Sequence, residues 1–428
     1  MLATVAVRAS EGKSSMPLSA GAAKLEITPD VRLSNWVTHK PYGEALDPVF
    51  ARALVLGLSD ERVAILTWDL LYPLEGVVAK VRKEAAKATG IKEGNILVTA
   101  THNHSAPWSP VIGDPLTAAE QKVLNSFLTD TNYPGWAEMV VSKSVEALRL
   151  ADAARRPSTL GISRAYVGDV MFNRRPIKPD GTVQTLGGVT NVFVMGNGLR
   201  YGKVDPVLTL LMFKDESGKT IASVYHMACH AVVVYPRYDG VSGDWPGMVS
   251  SILERDLGGE AIFLQGCAGD INPIRRGLEA RDHIAKTVAS RAIDAAKVSH
   301  PMELPDAFYT ASEVVKAPVY EVWRKELGLD HKPCEVQVLS VGNLALVGLP
   351  GEPFSGLSSA IVEQSGIPHT LVLGYSNGLG VQYVGLPGDR AKGGYEVGVR
   401  CLGDDTCGQL LVDAAVRLLP GSRSPRRR

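Results

Sequence analysis

An excess of either charge is the first thing this sequence lacks. Lys+Arg and Asp+Glu number 45 each, which gives no electrostatic reason to expect nucleic acid, an anionic membrane surface or a strongly charged partner. The arginines that end the chain, Arg426 to Arg428, read as a frayed basic tail rather than a binding arm. Cysteine is also scarce. Five residues, an odd number, argue against a disulfide scaffold and fit a reducing compartment. Cys401 and Cys407 are near enough to bridge, but nothing requires it. No apolar run reaches the roughly 18 to 20 residues of a membrane span. The first thirty residues, "MLATVAVRASEGKSSMPLSAGAAKLEITPD", lack a basic start and make a poor secretory signal. The expectation is a flexible leader over 1–17, one domain over 18–420 and a tail over 421–428, with cytoplasmic residence and no stable membrane insertion.

Repeats and low-complexity linkers are absent too. β-like runs alternate with helical patterns throughout. "ARALVLGL" (51–58) and "RVAILTWDLL" (62–71) predict antiparallel strands, and "LEGVVAKVRKEAAKATG" (74–90) a helix ended by Gly90. A second long helix is expected over 136–154 and others at 245–259, 283–299 and 354–365. Hairpins are expected at 206–230 and 335–353, and strands at 95–100, 261–265 and 370–374. The fold class is α/β, with mixed β-sheets flanked by helices.

Polar residues recur where these apolar runs end. "NILVTATHNHSAP" (95–107) places His102 and His104 one residue apart after a strand. Extended backbone would turn both to one face, and two such imidazoles suit a metal or an acid/base pair. "VYHMACHAVVV" (224–234) adds His226 and His230, which would share a face if the strand ran on. "LVGLPGEPFSG" sets Glu352 between Gly351 and Pro353 in a tight turn. "SGDWPG" offers Asp244 as an N-cap, and "GCAGDINP" reads as a backbone nest for an oxyanion or a carboxylate. Cys229 and Cys267 read as small buried thiols.

Taken together, "AGAAKLEITP", "ATHNHSAP", "FNRRP", "HMACHAVVV", "SGDWPG", "GDINP", "LPGEP" and "YSNGLGVQY…GGYE", in that order from about Ser19 to about Leu419, resemble the neutral (non-lysosomal) ceramidase family. Those are zinc amidases that split N-acyl sphingosine. The resemblance implies one Zn²⁺ per chain, with His102, His230, Glu352 and Tyr383 as ligands. It implies His104 as general acid/base, and Arg174 and Tyr395 as active-site groups that stabilise the oxyanion. Two imidazoles, a carboxylate and one more oxygen ligand suit zinc and leave a position for water. The implied reaction is cleavage of an amide bond of an N-acyl compound by zinc-bound hydroxide.

Two departures narrow the expectation. The family's "GDxSPN" loop carries a serine sometimes assigned as nucleophile, whereas this chain has Asn272 there. An amide excludes a covalent acyl-enzyme at that position and leaves Asn272 a hydrogen-bonding role. The family's C-terminal β-sandwich domain has no counterpart in this sequence, so the expected substrate is a smaller or more soluble acyl compound than ceramide. An esterase or lactonase using the same metal is the alternative, and a non-catalytic ligand-binding homologue a further one. The oligomeric state is not legible.

Overall fold

The computed structural model describes residues 18–421, except 115, 187–197, 305–306 and 399. The expected leader over 1–17, and the tail beyond residue 421, lie outside the described residues.

Two mixed sheets pack face to face. The larger runs Ile96–Ala100, Glu61–Trp68, Phe50–Leu58, Ser19–Glu26, Arg156–Tyr166, Val207–Asp215, Thr220–Met227 and Glu260–Gln265 in spatial order, with His300–Pro301 paired beside Arg156–Tyr166. The smaller runs Tyr309–Pro318, His331–Val341, Leu344–Gly348 and His369–Leu373. Strict alternation explains the layering. In Phe50–Leu58, the side chains Leu54, Leu56 and Leu58 enter the apolar layer between the sheets, while Ala51, Ala53 and Val55 face helices. His331–Val341 does the same, with Leu339 and Val341 turned inward and Val336 and Val338 turned to helices on its other side.

Helices Glu75–Thr89, Tyr133–Ala153, Asp244–Leu257 and Leu278–Lys297 contribute to the core over the larger sheet. Ser355–Ser365 and Cys407–Leu418 contribute to the core over the smaller sheet. The result is a helix–sheet–sheet–helix sandwich, in keeping with the expected mixed α/β class. Gly90 ends the first helix in the left-handed conformation at φ 75°, as its sequence position predicts. All five cysteines are free. Burial pushes the thiols of Cys229 and Cys267 upward, which keeps both neutral.

Within the two large sheets, three strand pairs are parallel: Glu61–Trp68 with Ile96–Ala100, Thr220–Met227 with Glu260–Gln265, and Leu344–Gly348 with His369–Leu373. The loops leaving these strands carry Tyr72, His102, His230, Asn272, Glu352 and Tyr375. Carboxyl ends of parallel strands are where open α/β sheets assemble sites. Among the described residues, no helix is long and apolar enough to cross a membrane.

Candidate metal and active site

His102 lies two residues beyond its strand, which ends at Ala100, and adopts a left-handed φ of 58°. That conformation is costly for a side chain with a Cβ and concentrates at functional sites. The two imidazoles of the "HNH" motif therefore do converge, but through a turn rather than through strand alternation. Their Nε2 atoms are 3.1 Å apart. Asn103 bridges to Ala231, and the His104 amide donates to the Ala231 carbonyl at 3.1 Å. These contacts dock the loop against the segment bearing His230.

His226 and His230 do not share a strand face. The strand stops at Met227, three residues before His230. His226 Nε2 instead lies 3.2 Å from the Val372 carbonyl, outside the cluster.

Glu352 is aimed by the chain on either side of it. Its amide donates to the Gln382 carbonyl at 2.9 Å, within a short parallel pairing of Glu352–Pro353 with Tyr383–Val384. Gly351 has φ 71°, and a Cβ there would meet the Gln382 carbonyl at 2.3 Å, so only glycine fits.

His102 Nε2 and His230 Nε2 stand 3.1 and 3.2 Å from the same atom, Glu352 Oε2. The opposite ring nitrogens settle the tautomers. His102 Nδ1 lies 3.0 Å from the Leu71 carbonyl, and His230 Nδ1 lies 3.1 Å from the Ile271 carbonyl. A carbonyl only accepts, so each Nδ1 carries the proton and each Nε2 presents a lone pair. Burial, with Arg174 nearby, lowers His230 to about 3, which keeps that ring neutral. Three buried acceptor atoms thus point at one another, and His230 Nε2 and Glu352 Oε2 have no hydrogen-bond partner. Such a set is costly unless a cation sits among it. These residues fit a zinc ion, whose usual ligands are imidazole nitrogens and a carboxylate oxygen.

His104 is within reach of the same position, since the ligating atoms of His102, His104 and His230 all lie within 4.8 Å of one another. Burial lowers its pKa well below the usual range, and His102 and His230 add to the effect. Tyr383, the fourth expected ligand, is buried and register-paired with Glu352. Its oxygen accepts from Arg174 Nη2 at 2.9 Å. Burial pushes its phenol well up, with Arg174 opposing.

Arg174 is held on all sides. Nη2 also donates to the Gly269 carbonyl at 2.8 Å, Nη1 stands 3.4 Å from Asn272 Oδ1, and Nε lies 2.9 Å from Glu396 Oε1. That last contact is an ion pair whose angle falls short of a hydrogen bond, because Arg174 Nε and Glu396 Oε1 are both without a hydrogen-bond partner. Asn272 turns its carbonyl oxygen to Arg174, so its NH₂ group points away from the guanidinium. Tyr395 stands apart from the buried cluster. It is 48% exposed, with its ring 6.1 Å from that of Tyr383, on the rim of the site. Asp244 is not the cap of its helix. Gly243 is, and the Asp244 carboxylate accepts from the amides of Val233, Val234 and Trp245.

Several residues escaped sequence reasoning. The Tyr72 hydroxyl donates to Glu352 Oε1. Tyr375 stacks on His102 at 4.2 Å, and Trp36 and Tyr235 flank His104 at 6.2 and 5.4 Å. Tyr72 follows an apolar run and precedes Pro73, the same context as the other site residues, and was findable on that ground. Tyr235, between the run ending at Val234 and Pro236, shares that context, whereas nothing local marks Trp36.

The buried His–His–Glu cluster at the strand ends of this helix–sheet–sheet–helix sandwich is a set of side chains that could hold a metal ion. The family model for the neutral/alkaline non-lysosomal ceramidase N-terminal domain matches residues 46–292. This is more than half of the chain, and the chain belongs to that family. Among curated relatives, neutral ceramidase of Mycobacterium tuberculosis (strain ATCC 25618 / H37Rv) is 24% identical over 226 residues, 50% of this chain and 32% of the relative. Neutral ceramidase B of Dictyostelium discoideum is 23% identical over 199 residues, 44% of this chain and 25% of the relative. The matched part thus spans a third or less of either relative. Among solved structures, neutral ceramidase from Pseudomonas aeruginosa superposes with a TM-score of 0.71 at 20% identity, covering 96% of this chain and 76% of that one. A ceramidase complexed with C2 gives 0.72 at 19% identity, covering 96% and 77%. These two share the fold.

Proposed function

We propose that the chain is a zinc-dependent amidase that hydrolyses the amide bond of an N-acyl compound, with ceramide-like lipids the class its family points to. One observation carries the reading: His102 Nε2, His230 Nε2 and Glu352 Oε2 meet with no proton available between them. A zinc ion held there supplies Lewis acidity toward water and the scissile carbonyl. His102, His230 and Glu352 would hold it, with Tyr383 as the fourth ligand.

The remaining residues divide the other tasks. His104, kept neutral by its surroundings, accepts a proton from the attacking water at Nε2 and returns it to the leaving nitrogen. Arg174, fixed by Gly269, Tyr383 and Glu396, places a permanent positive charge where the carbonyl oxygen becomes negative. Tyr395 on the rim can close over bound substrate and donate its hydroxyl to the same oxygen. Asn272 orients the guanidinium from below. With an amide at that position, attack falls to water rather than to a side chain.

The test is elemental analysis of protein purified without added metal, paired with hydrolysis of short-chain ceramide and simpler N-acyl amides. About one zinc per chain is expected, with turnover lost on chelation and regained on adding zinc. Protein that holds no metal, and takes none up from added zinc, would overturn the reading. Matched esters run alongside decide whether the amide is the preferred bond.

A further inference from the structure

Arg276 makes no ion pair among the described residues. Arg52, Arg82, Arg174, Arg175 and Arg281 each hold a carboxylate within 4 Å, and Arg390, whose Nε is buried without a partner, donates its remaining N–H groups to the carbonyls of Val397, Cys401 and Gly403. Among the described residues no carboxylate comes that close to Arg276, and its Nε is buried without a hydrogen-bond partner. The placement is not loose. Downstream of Asn272, the amide of Ile274 donates to the Val170 carbonyl at 3.0 Å and that of Gly277 to the Val233 carbonyl at 2.7 Å. These two bonds pin the segment between Val170, four residues before Arg174, and the loop that carries His230. Arg276 lines a cavity of about 620 Å³ with Ile274, Gly277, His283 and Ile284. The Val233 carbonyl that Gly277 holds lies two residues before Tyr235, whose ring is 5.4 Å from that of His104, on the aromatic side of the site. Arg174 and Arg237 add charge of the same sign around Arg276, and Asp244 the opposite sign. The Asp244 carboxylate, however, is engaged by three backbone amides. Glu279, the acid on the cavity wall, makes no ion pair with Arg276.

A partly desolvated guanidinium beside a reaction centre is unfavourable next to a neutral head group and favourable next to a carboxylate or phosphate, which it can grip through two parallel N–H donors. We propose that Arg276 receives an anionic group of the substrate, so that the preferred substrate is an acidic N-acyl compound rather than a neutral one. The inference rests on the amidase reading and narrows its substrate class. The anion belongs either to the amine half of the amide or to the far end of the acyl chain, and the test separates the two.

Three twelve-carbon amides serve as probes: N-dodecanoylglycine, acidic on the amine side; the mono-ethanolamide of dodecanedioic acid, acidic at the acyl end; and neutral N-dodecanoylethanolamine. Each is assayed for turnover and, by calorimetry, for binding to the purified protein and to its R276Q and R276K forms. One acidic amide should outperform the neutral one by about tenfold or more in kcat/KM, the scale of a single charge-assisted contact. R276Q should abolish that preference by raising KM at little cost in kcat, leave the neutral amide within about twofold, and be rescued in part by R276K. Acid and neutral amides that bind wild type and R276Q alike would overturn the proposal, whatever the turnover. Absence of turnover on all three, with acid-selective binding intact, would count against the amidase reading and leave the anion site standing.

Discussion

The hydroxyl of Tyr72 donates to Oε1 of Glu352 and so leaves Oε2 alone to face His102 and His230. One carboxylate oxygen is used to orient the group and the other to complete the acceptor cluster. Partners of this kind fix a ligand's direction, and their loss typically weakens metal binding by about 10–100-fold. Tyr72→Phe should therefore lower zinc affinity by roughly that factor in a chelator competition. Phenylalanine keeps the ring contacts with His102 and Trp108, so the fold should survive. An unchanged affinity would mean that Glu352 is held by its backbone pairing alone.

His104 and His230 should separate metal binding from turnover. His230→Ala removes one of the three convergent acceptors and should yield protein with far less zinc. His104→Gln should retain about one zinc while turnover falls by roughly 10²–10⁴, the range for a lost general acid/base. Their geometry makes the comparison sharp, because His104 Nε2 is only 3.1 Å from His102 Nε2. Loss of metal in both variants would make His104 a ligand and move proton transfer elsewhere.

The sequence carried much of the frame. Alternating apolar residues in Phe50–Leu58 and Glu61–Trp68, and the helix closed by Gly90, are local signals, and the structure follows them to within a residue or a few. The site was legible only in part. His102, His230 and Glu352 each end an apolar run, and that pattern survives in three dimensions. The reason offered for the two histidine pairs did not survive, because a left-handed residue at His102 and an early strand end at Met227 depend on docking between distant loops. Tyr375, Trp36 and Arg276 owe their positions to the same long-range docking. Asp244, read as a helix cap, lies at φ 53° with its carboxylate turned back toward the preceding loop, which local propensity does not encode.

Glu396, the last residue of "GGYE", joins the neighbouring Arg174 and Arg175. Its oxygens stand 2.9 Å from Arg174 Nε and 2.7 Å from Arg175 Nη1, and all three groups are buried. Breaking a buried charge pair by removing one partner costs about 3–5 kcal/mol, because the other charge stays buried. Glu396→Gln should therefore lower the unfolding free energy by roughly that amount. It should also reduce kcat more than it raises KM, since Arg174 would no longer be held toward the site. A variant with wild-type stability and turnover would show that the Gly269, Asn272 and Tyr383 contacts suffice to hold Arg174.

Asp244 gives the fold a pH dependence whose sign can be worked out. Burial raises its carboxyl from 3.8 to about 6, against the lowering effect of the Val234, Trp245 and Val233 amides. The folded protein then binds the proton more tightly than the unfolded chain. The stability this group contributes is fully present below about 3.8 and is lost as pH rises through about 6. A carboxyl displaced by that much carries roughly 3 kcal/mol across the window. Asp244→Asn fixes the neutral form and removes the dependence. The difference in unfolding free energy, wild type minus variant, measured by urea titration, should therefore be larger at pH 4 than at pH 7. Other carboxylates and any bound metal act on both proteins alike and cancel in that difference. A difference that instead grows toward pH 7 would mean that the three amides outweigh burial, so that the ionised carboxylate is the form the fold prefers and the loop at Val233 and Val234 is held by its charge.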